Sequence, residues 1–545
     1  ADGQKVIINA LNYLMKKREE EIADCSIAFI GGDETYPKDW NTAANWKGGV
    51  KPDKTTREIR ILAEVVIENG DSIHAMAPIK IASGGTYNEG ADNAEGKITI
   101  NAGGALIVDG RIQAVTAPNY SKARGTSVED IVLNTSSSAQ AALIFNNDAG
   151  DTKATVNFYS LGRKDGNFQY QYIASPMEVV PVSESYAGTG VYTYVYTEAA
   201  GWERRGYYTD LYAFEGVAIT TRSTSATEYT VQGTLANTKE REISITKDHG
   251  GDNMIGNSWV APIQISELEK APNTATLASK TVYVYCSGRD AVEGTGASGT
   301  TETAGQWLAI PFNAASFAGW SGLKVVPAMN AFEFMATAAG TLTLNYDTLV
   351  RGNHQNLTAK ARAPKRKTEH EGIDLVRIRV ADTKTHIDIH LFEGDVFSEA
   401  FDDGWEAKYI DGEGVSAQLY AMNGEDKMAV LATSTLEGTV LGFVPGRERE
   451  YTFSFHGADN GYYLNDLKLK TSTPISETEH YTFTYEEGDT HRFYISKTRI
   501  DAPQTPTDVT NSEVETPKAQ KFIYKDKMYI MINGRVYSAE GQLVK

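Results

Sequence analysis

The feature that most constrains the fold of this chain is a short-range alternation of apolar and polar residues, which begins near residue 24 and continues almost to the end. Runs such as residues 376–380 and 451–455 carry an apolar residue at every second position, and Gly, Asn and Asp separate the runs. A period of two predicts half-buried β-strands, and frequent turn residues predict short ones. Because 545 residues exceed what one hydrophobic core can serve, the sequence predicts an all-β, multi-domain chain.

Residues 35–150 carry the shortest of these strands. Within residues 98–110, for instance, two apolar runs are joined by a turn at Gly103 and Gly104. Very short strands joined by Gly-Gly turns are typical of a parallel β-solenoid, in which each coil adds one strand to each face. The repeat is irregular, so a plain β-sandwich is the alternative for this region.

Changes in composition divide the rest of the chain. A basic, proline-containing stretch at residues 360–367 indicates one linker, and three prolines among polar residues at 501–519 indicate another. The predicted divisions are 1–34 for an N-terminal helix and strand, 35–150 for the β-solenoid-like region, 151–352 for a β-rich domain, 353–370 for a linker, 371–498 for a β-sandwich, 499–519 for a linker and 520–545 for a β-hairpin unit.

One helical pattern lies at the start of the chain. Apolar residues between positions 6 and 14 follow helical spacing and precede a charged run at 16–21. We interpret this short N-terminal helix as the end of a preceding α/β domain, which would make the chain the C-terminal part of something larger. No apolar run approaches the roughly 18–20 residues of a membrane helix, so no membrane span is predicted.

Charge and cysteine content limit the partners of the chain. Lys and Arg number 52 and Asp and Glu number 71, which gives a net charge of −19. An acidic surface repels phosphate backbones, so nucleic acid is not predicted as a partner. The cysteines are Cys25 and Cys286, which excludes a disulfide framework and leaves open whether these two residues pair.

The strongest metal-like pattern is the run of residues 386–390. On a strand His386, Asp388 and His390 share one face, and imidazole and carboxylate groups are ligands of Zn²⁺. The same alternation describes an ordinary half-buried strand with its polar residues outward. Neighbouring same-face side chains are about 6.5–7 Å apart, which is wide for three ligands of one ion, so both interpretations are kept.

Two acidic turns, at residues 146–151 and 248–253, carry the hard oxygen donors that Ca²⁺ prefers. Asn, Asp and Gly are also the commonest turn-forming residues, and neither turn has the spacing of an EF-hand loop. Calcium is therefore the one candidate cofactor, with ordinary turns as the alternative.

The sequence shows no catalytic signature: it lacks Gly-x-Ser-x-Gly, His-Glu-x-x-His and local Cys-His patterns. It therefore favours a protein without catalytic activity in this chain. Exposed rings at Trp202, Trp320 or Trp405 would suit a carbohydrate-binding face, whereas aromatic residues on strands more often pack in cores or against cross-strand neighbours.

Several phrases of the sequence resemble type IX secretion cargo of Bacteroidetes such as Prevotella and Porphyromonas. The terminal segment, residues 520–545, resembles the C-terminal sorting segment of such cargo, with a hairpin turn at Asn533 and Gly534 and with Gly541 and Lys545 beyond it. Other phrases similar to large surface proteins of that phylum lie at 40–49, 173–176, 233–235, 253–258, 397–407, 418–420, 436–443 and 492–495. The phrase at 253–258 resembles Asn-Leu-Ile-Gly-Asn-Pro in those proteins, with Met254 in place of Leu and Ser258 in place of Pro.

The resemblance implies a large, multi-domain, adhesin-like protein that the type IX secretion machinery exports to the outer-membrane surface or the extracellular medium. We therefore expect a binding or spacer protein whose ligand is a surface, a protein or a glycan. Two alternatives remain. The helix at residues 1–24 suggests the C-terminal accessory region of a larger secreted hydrolase, and the aromatic content suggests a glycan-binding module.

Overall fold

A computed structural model describes residues 26–84, 86–87, 91–116, 122–136, 140–146, 150–160, 162, 168, 170–182, 190–206, 208–236, 239–270, 280–286, 306–350, 372–383, 385–398, 400–412, 417–457, 460–501, 519–524, 527–532, 535–538 and 543–544. Strands dominate these residues. The helices are α1 (Phe312–Ser316), α2 (Tyr346–Leu349) and 3-10 turns at Ala43–Asn45, Lys47–Gly49 and Ile265–Lys270. The all-β prediction is confirmed. The predicted N-terminal helix and Cys25 lie outside the described residues.

The N-terminal part, here called the solenoid unit, is a three-sided parallel β-solenoid. Its strands are β1 (Ser26–Phe29), β2 (Glu58–Ile61), β3 (Glu64–Ile67), β4 (Ser72–Ala75), β5 (Ile79–Ser83), β6 (Thr86–Tyr87), β7 (Ala91–Asp92), β8 (Lys97–Ile100), β9 (Ala105–Val108), β10 (Ile112–Thr116), β11 (Ile131–Asn134), β12 (Ala142–Phe145) and β13 (Lys153–Ser160). Parallel sheets β1-β2-β5-β10, β3-β8-β11-β13 and β4-β9-β12 form the three sides. The solenoid prediction is confirmed, and the sandwich alternative does not describe this region.

Equivalent residues of successive coils stack on one another. Apolar side chains at Val65, Ile98 and Ile131 occupy paired positions and are buried. At the end of the same strands, Nδ2 of Asn134 donates to Oδ1 of Asn101 at 2.8 Å, and Nδ2 of Asn157 donates to Oδ1 of Asn134 at 2.8 Å. This ladder satisfies side-chain amides that would otherwise lose hydrogen bonds as the coils pack.

The middle unit follows, with β14 (Gln171–Ile173), β15 (Val179–Pro181), β16 (Val191–Thr197), β17 (Gly201–Arg204), β18 (Asp210–Tyr212), β19 (Val217–Thr221), β20 (Thr227–Thr234), β21 (Glu240–Ile245), β22 (Asp252–Gly256), β23 (Ile263–Gln264), β24 (Thr281–Cys286), β25 (Gln306–Pro311), β26 (Val325–Val326), β27 (Ala331–Met335) and β28 (Gly340–Asn345). Antiparallel sheets β14-β19-β16-β17 and β22-β27-β24-β25 are its largest, with pairs β15-β18, β21-β28 and β23-β26. Strand β20 pairs with β13 and so extends a solenoid sheet.

The sandwich unit contains β29 (Asp374–Ala381), β30 (His386–Glu393), β31 (Ala407–Lys408), β32 (Gln418–Asn423), β33 (Asp426–Thr433), β34 (Val440–Val444), β35 (Glu450–Gly457), β36 (Tyr463–Asp466), β37 (Thr471–Pro474), β38 (His480–Thr484) and β39 (Phe493–Ser496). They form one sheet in the order β37-β36-β39-β34-β32-β33-β30-β29-β35-β38, with β31 beside β33. Thr471 on one end strand donates to the hydroxyl of Tyr481 on the other at 3.4 Å. The sheet thus nearly closes around its own core.

The terminal sheet is an antiparallel set of three strands, β40 (Ala519–Tyr524), β41 (Lys527–Ile532) and β42 (Arg535–Ser538). The predicted linker 353–370 and residues 502–518 of the second linker lie outside the described residues. The exact domain boundaries therefore stay predictions.

Candidate functional site

A cleft of about 130 Å³ lies between the middle unit and the sandwich unit. Strand β25 and the loop at residues 320–323 form one wall, and the outward faces of β29, β30 and β33 form the other. Its polar and aromatic lining includes Gln306, Trp320, Arg377, Arg379, Asp388 and His390. Residues from two different sheets therefore meet at this cleft.

The strand period places the charged side chains of the cleft. Arg377 and Arg379 alternate with core residues along β29, and Asp388 on β30 lies directly opposite Arg379 in the register. Nε and Nη2 of Arg379 donate to the two carboxylate oxygens of Asp388 at 2.7 and 2.9 Å, and Nη1 of Arg377 lies 3.5 Å from Oδ2. Burial raises the pKa of Asp388, but the Arg379 hydrogen bonds and charge outweigh it and hold that pKa below its usual range.

His390 forms the apolar floor of the cleft together with Trp320. The residue is 8% exposed, and its ring lies 4.2 Å from the Trp320 ring, centroid to centroid, with the planes tilted by 33°. Burial lowers the pKa of His390 to about 4, against the opposing charge of Asp388, so the imidazole is neutral near pH 7. Its Nε2 and the Nε of Arg377 are buried without a hydrogen-bond partner.

Strand β30 places His386, Asp388 and His390 on one face, as the alternation predicts, with the intervening Ile residues in the core. The three side chains are not brought together on one point. Across the described ranges, no group of three His, Cys, Asp or Glu side chains could hold a metal ion. Because Arg379 and Arg377 already neutralise the carboxylate, the geometry favours an anion here over a cation.

Two residues of the cleft have a signal in the sequence. Arg377 and Arg379 share one face of the run 376–380, but alternation alone does not distinguish a binding site from an ordinary polar face. Trp320 and Gln306 offered no such signal, because they reach the cleft from the middle unit and only packing brings them there.

The turn at residues 248–253 holds a carboxylate. The backbone N–H groups of Asp248, His249 and Gly251 donate to the Glu198 carboxylate at 2.8, 2.7 and 2.5 Å. Although desolvation raises it, these donors lower the pKa of Glu198 to about 2. A ring of N–H donors binds anions, so this geometry does not favour calcium. In the other predicted turn, residues 147–149 lie outside the described residues.

The three tryptophans proposed for sugar stacking differ in exposure. Trp202, on β17 at the edge of its sheet, is 39% exposed and packs against Tyr172 and Tyr196 with ring centroids 5.2 and 5.3 Å apart. Trp405 is half-buried. Trp320 is 4% exposed and packs in the junction core, which agrees with the core-packing interpretation of the aromatic residues.

The terminal sheet packs on the sandwich unit. Its buried side chains Phe522, Met531 and Val536 form one apolar cluster with Val440 and Tyr494 of the sandwich unit. The predicted sorting-segment residues Asn533, Gly534, Gly541 and Lys545 lie outside the described residues, so their role stays a prediction.

The two walls of the cleft share one hydrophobic core. Trp320 and Leu323 of the middle unit belong to the same buried cluster as Phe392 and Val430 of the sandwich unit. Hydrogen bonds cross the junction as well, from Gln306 Nε2 to the His386 carbonyl at 3.1 Å. The two walls of the cleft are therefore connected by a shared core and by a hydrogen bond.

No helix among the described residues is long and apolar enough to cross a membrane.

Comparisons with known proteins give one informative likeness. No protein-family model matches the chain, and no solved structure matches it. The chain is similar to the minor fimbrium subunit Mfa5 of Porphyromonas gingivalis, with 25% identity over 508 residues that cover 86% of this chain and 39% of that relative, so it spans well under half of the relative's length.

Proposed function

We propose that this chain is a cell-surface, adhesin-like protein of a Bacteroidetes bacterium that acts as a fimbrial component. The observation that carries the proposal is the likeness to a minor fimbrium subunit over 86% of the chain. An alignment of that extent includes parts of the solenoid, middle and sandwich units, so the likeness is not confined to one module.

The packing between units supports this function. One buried cluster contains solenoid residues such as Phe158 together with Val217 and Ile219 of the middle unit. Another contains Trp320 of the middle unit together with Phe392 of the sandwich unit. Units that share cores resist separation, which suits a surface protein under mechanical load.

Fractionation of the source bacterium tests the proposal. Fimbriae are sheared from intact cells, and the sheared fraction, outer membrane and cytoplasm are probed with an antibody to the chain. We expect the chain in the sheared fraction and on intact, antibody-labelled cells. Its confinement to the cytoplasm would contradict the proposal, and an upstream hydrolase domain in the reading frame would favour the accessory-region alternative.

We also propose that the terminal sheet belongs to an export address read by the type IX secretion machinery. The resemblance of residues 520–545 to sorting segments supports it, as does the packing of a small separate sheet at the end of the described chain.

Removal of residues 520–545 tests this address. We expect the truncated protein to accumulate inside the cell, whereas a full-length Ile523→Ala variant, altered at a 61% exposed position of β40, is exported normally. Normal export of a folded truncated protein would exclude the sorting role.

A further inference from the structure

The cleft between the middle and sandwich units carries an excess of positive charge. Its ionised groups are Arg377, Arg379 and Asp388, and its histidine, His390, is neutral near pH 7. Two guanidinium groups thus face one carboxylate. In a chain with a net charge of −19, a local cationic cleft is a departure from the general surface, and it is suited to recognise an anion.

Two residues of the cleft also have unsatisfied polar atoms. Nε of Arg377 and Nε2 of His390 are buried and lack hydrogen-bond partners, and both residues line the cleft. His390 is more than nine-tenths buried. Arg379 already makes a two-pronged bond to Asp388, whereas Arg377 meets that carboxylate at 3.5 Å. Arg377 therefore retains hydrogen-bonding capacity for a second carboxylate.

The rest of the lining suits a sugar ring. Trp307 and Tyr409 contribute aromatic surface, and Gln306 and Ser321 contribute polar groups. Apolar rings with a few convergent polar groups are the usual composition of a small-ligand site. The volume of about 130 Å³ corresponds to roughly ten water positions, which is the size of one monosaccharide.

We propose that this cleft binds an acidic sugar, a pyranose that carries a carboxylate, with the carboxylate on Arg377 and the ring against the aromatic lining. The side chains of Arg377 and Arg379 are 19% and 25% exposed, so this part of the cleft reaches solvent. The biological role of this binding rests on the proposed adhesin-like function. Binding itself can be measured on the purified protein, independently of that function.

Binding of D-glucuronate and N-acetylneuraminate to the purified full chain, measured by saturation-transfer NMR and calorimetry, tests the proposal. The matched neutral probe is D-glucuronamide, which has the same ring without the charge. We expect the acids to bind at least about tenfold more tightly than the amide, since loss of one charge-assisted hydrogen bond costs about that factor. Equal affinity for acid and amide, or no binding of either acid, would overturn the proposal.

Two cleft variants and one control localise the site. Arg377→Met keeps the apolar stem, and Ala429→Leu fills the cleft from β33 without changing charge; each should weaken glucuronate binding about tenfold or more. Arg204→Met, which removes an exposed arginine from the middle unit, should leave it within about twofold. Thermal unfolding verifies that each variant is folded.

Unchanged glucuronate binding in a folded Arg377→Met or Ala429→Leu variant would exclude this cleft. Binding of an aspartate-rich peptide, with the same dependence on Arg377 and with no binding of either sugar, would replace the sugar by a protein partner and also overturn the proposal. These measurements use purified protein and no cells. The sugar-binding proposal can therefore be refuted while the surface location is confirmed, and the surface location can be refuted while sugar binding is confirmed.

Discussion

A desolvated carboxyl group makes the stability of this protein depend on pH. The pKa of Glu333, on β27, is raised to about 8, chiefly by burial of the carboxyl group and also by the negative charge of Asp252. A group whose folded pKa is raised contributes stability that is fully present below its unfolded pKa near 4.5 and is lost as the pH rises through about 8. The contribution is on the order of 5 kcal/mol, since one pKa unit corresponds to about 1.4 kcal/mol.

Glu333→Gln removes this titration. We expect the variant to unfold at a higher temperature than the wild type at pH 9 and to differ little at pH 5, as followed by circular dichroism. Glu242→Gln, at an exposed position of β21, is the control and should match the wild type at both values. A Glu333→Gln variant that gains nothing at pH 9 would show that Glu333 titrates normally.

Arg492 is the most completely buried cation among the described residues. It is 1% exposed, its Nε donates to Asp466 at 2.8 and 2.9 Å, and its Nη1 donates to Asp489 at 3.1 Å. Removing one partner of a buried ion pair leaves an uncompensated charge. We expect Arg492→Met to lose about 3–5 kcal/mol of sandwich-unit stability in urea unfolding. Arg499→Met, at an exposed pair, is the control and should unfold like the wild type.

At the scale of elements, the docking of the terminal sheet depends on few side chains. Phe522 and Met531 are 9% and 2% exposed against Tyr494. We expect Phe522→Ala to weaken this contact by about 3–5 kcal/mol and to raise amide exchange in β41, while exchange in β39 stays slow. Ile523→Ala, on the exposed face of β40, is the control. Unchanged exchange in β41 of Phe522→Ala would mean that other contacts hold the sheet.

At the scale of the whole molecule, Trp320 couples the middle and sandwich units. Its ring contacts His390 and Phe392 across the junction, and its Nε1 donates to the Leu323 carbonyl at 3.0 Å. We expect Trp320→Ala to cost about 3–5 kcal/mol and to split the unfolding of the two units into separate calorimetric transitions. Trp202→Ala, at an exposed edge strand, should leave the wild-type profile. A single unchanged transition in Trp320→Ala would show that the units are coupled elsewhere.

The fold class could be predicted from the sequence because strand alternation is a local property. The run 376–380 assigns its apolar residues to the core and its arginines to the opposite face without any knowledge of neighbours, and β29 has this arrangement. Short apolar runs with Gly-Gly turns likewise indicated solenoid coils. The all-β character and the face of each such strand were therefore determined by the sequence alone.

Contacts between distant strands were decided only by the tertiary structure. Asn101, Asn134 and Asn157 form a ladder because the coils bring them into line, and their unequal spacing in the chain does not reveal it. The face of β30 that reads as an open polar surface is covered by Trp320 of another unit, which turns a metal-like pattern into one wall of a cationic cleft. Period two specifies which way a side chain points, but the packing of whole units determines what it meets.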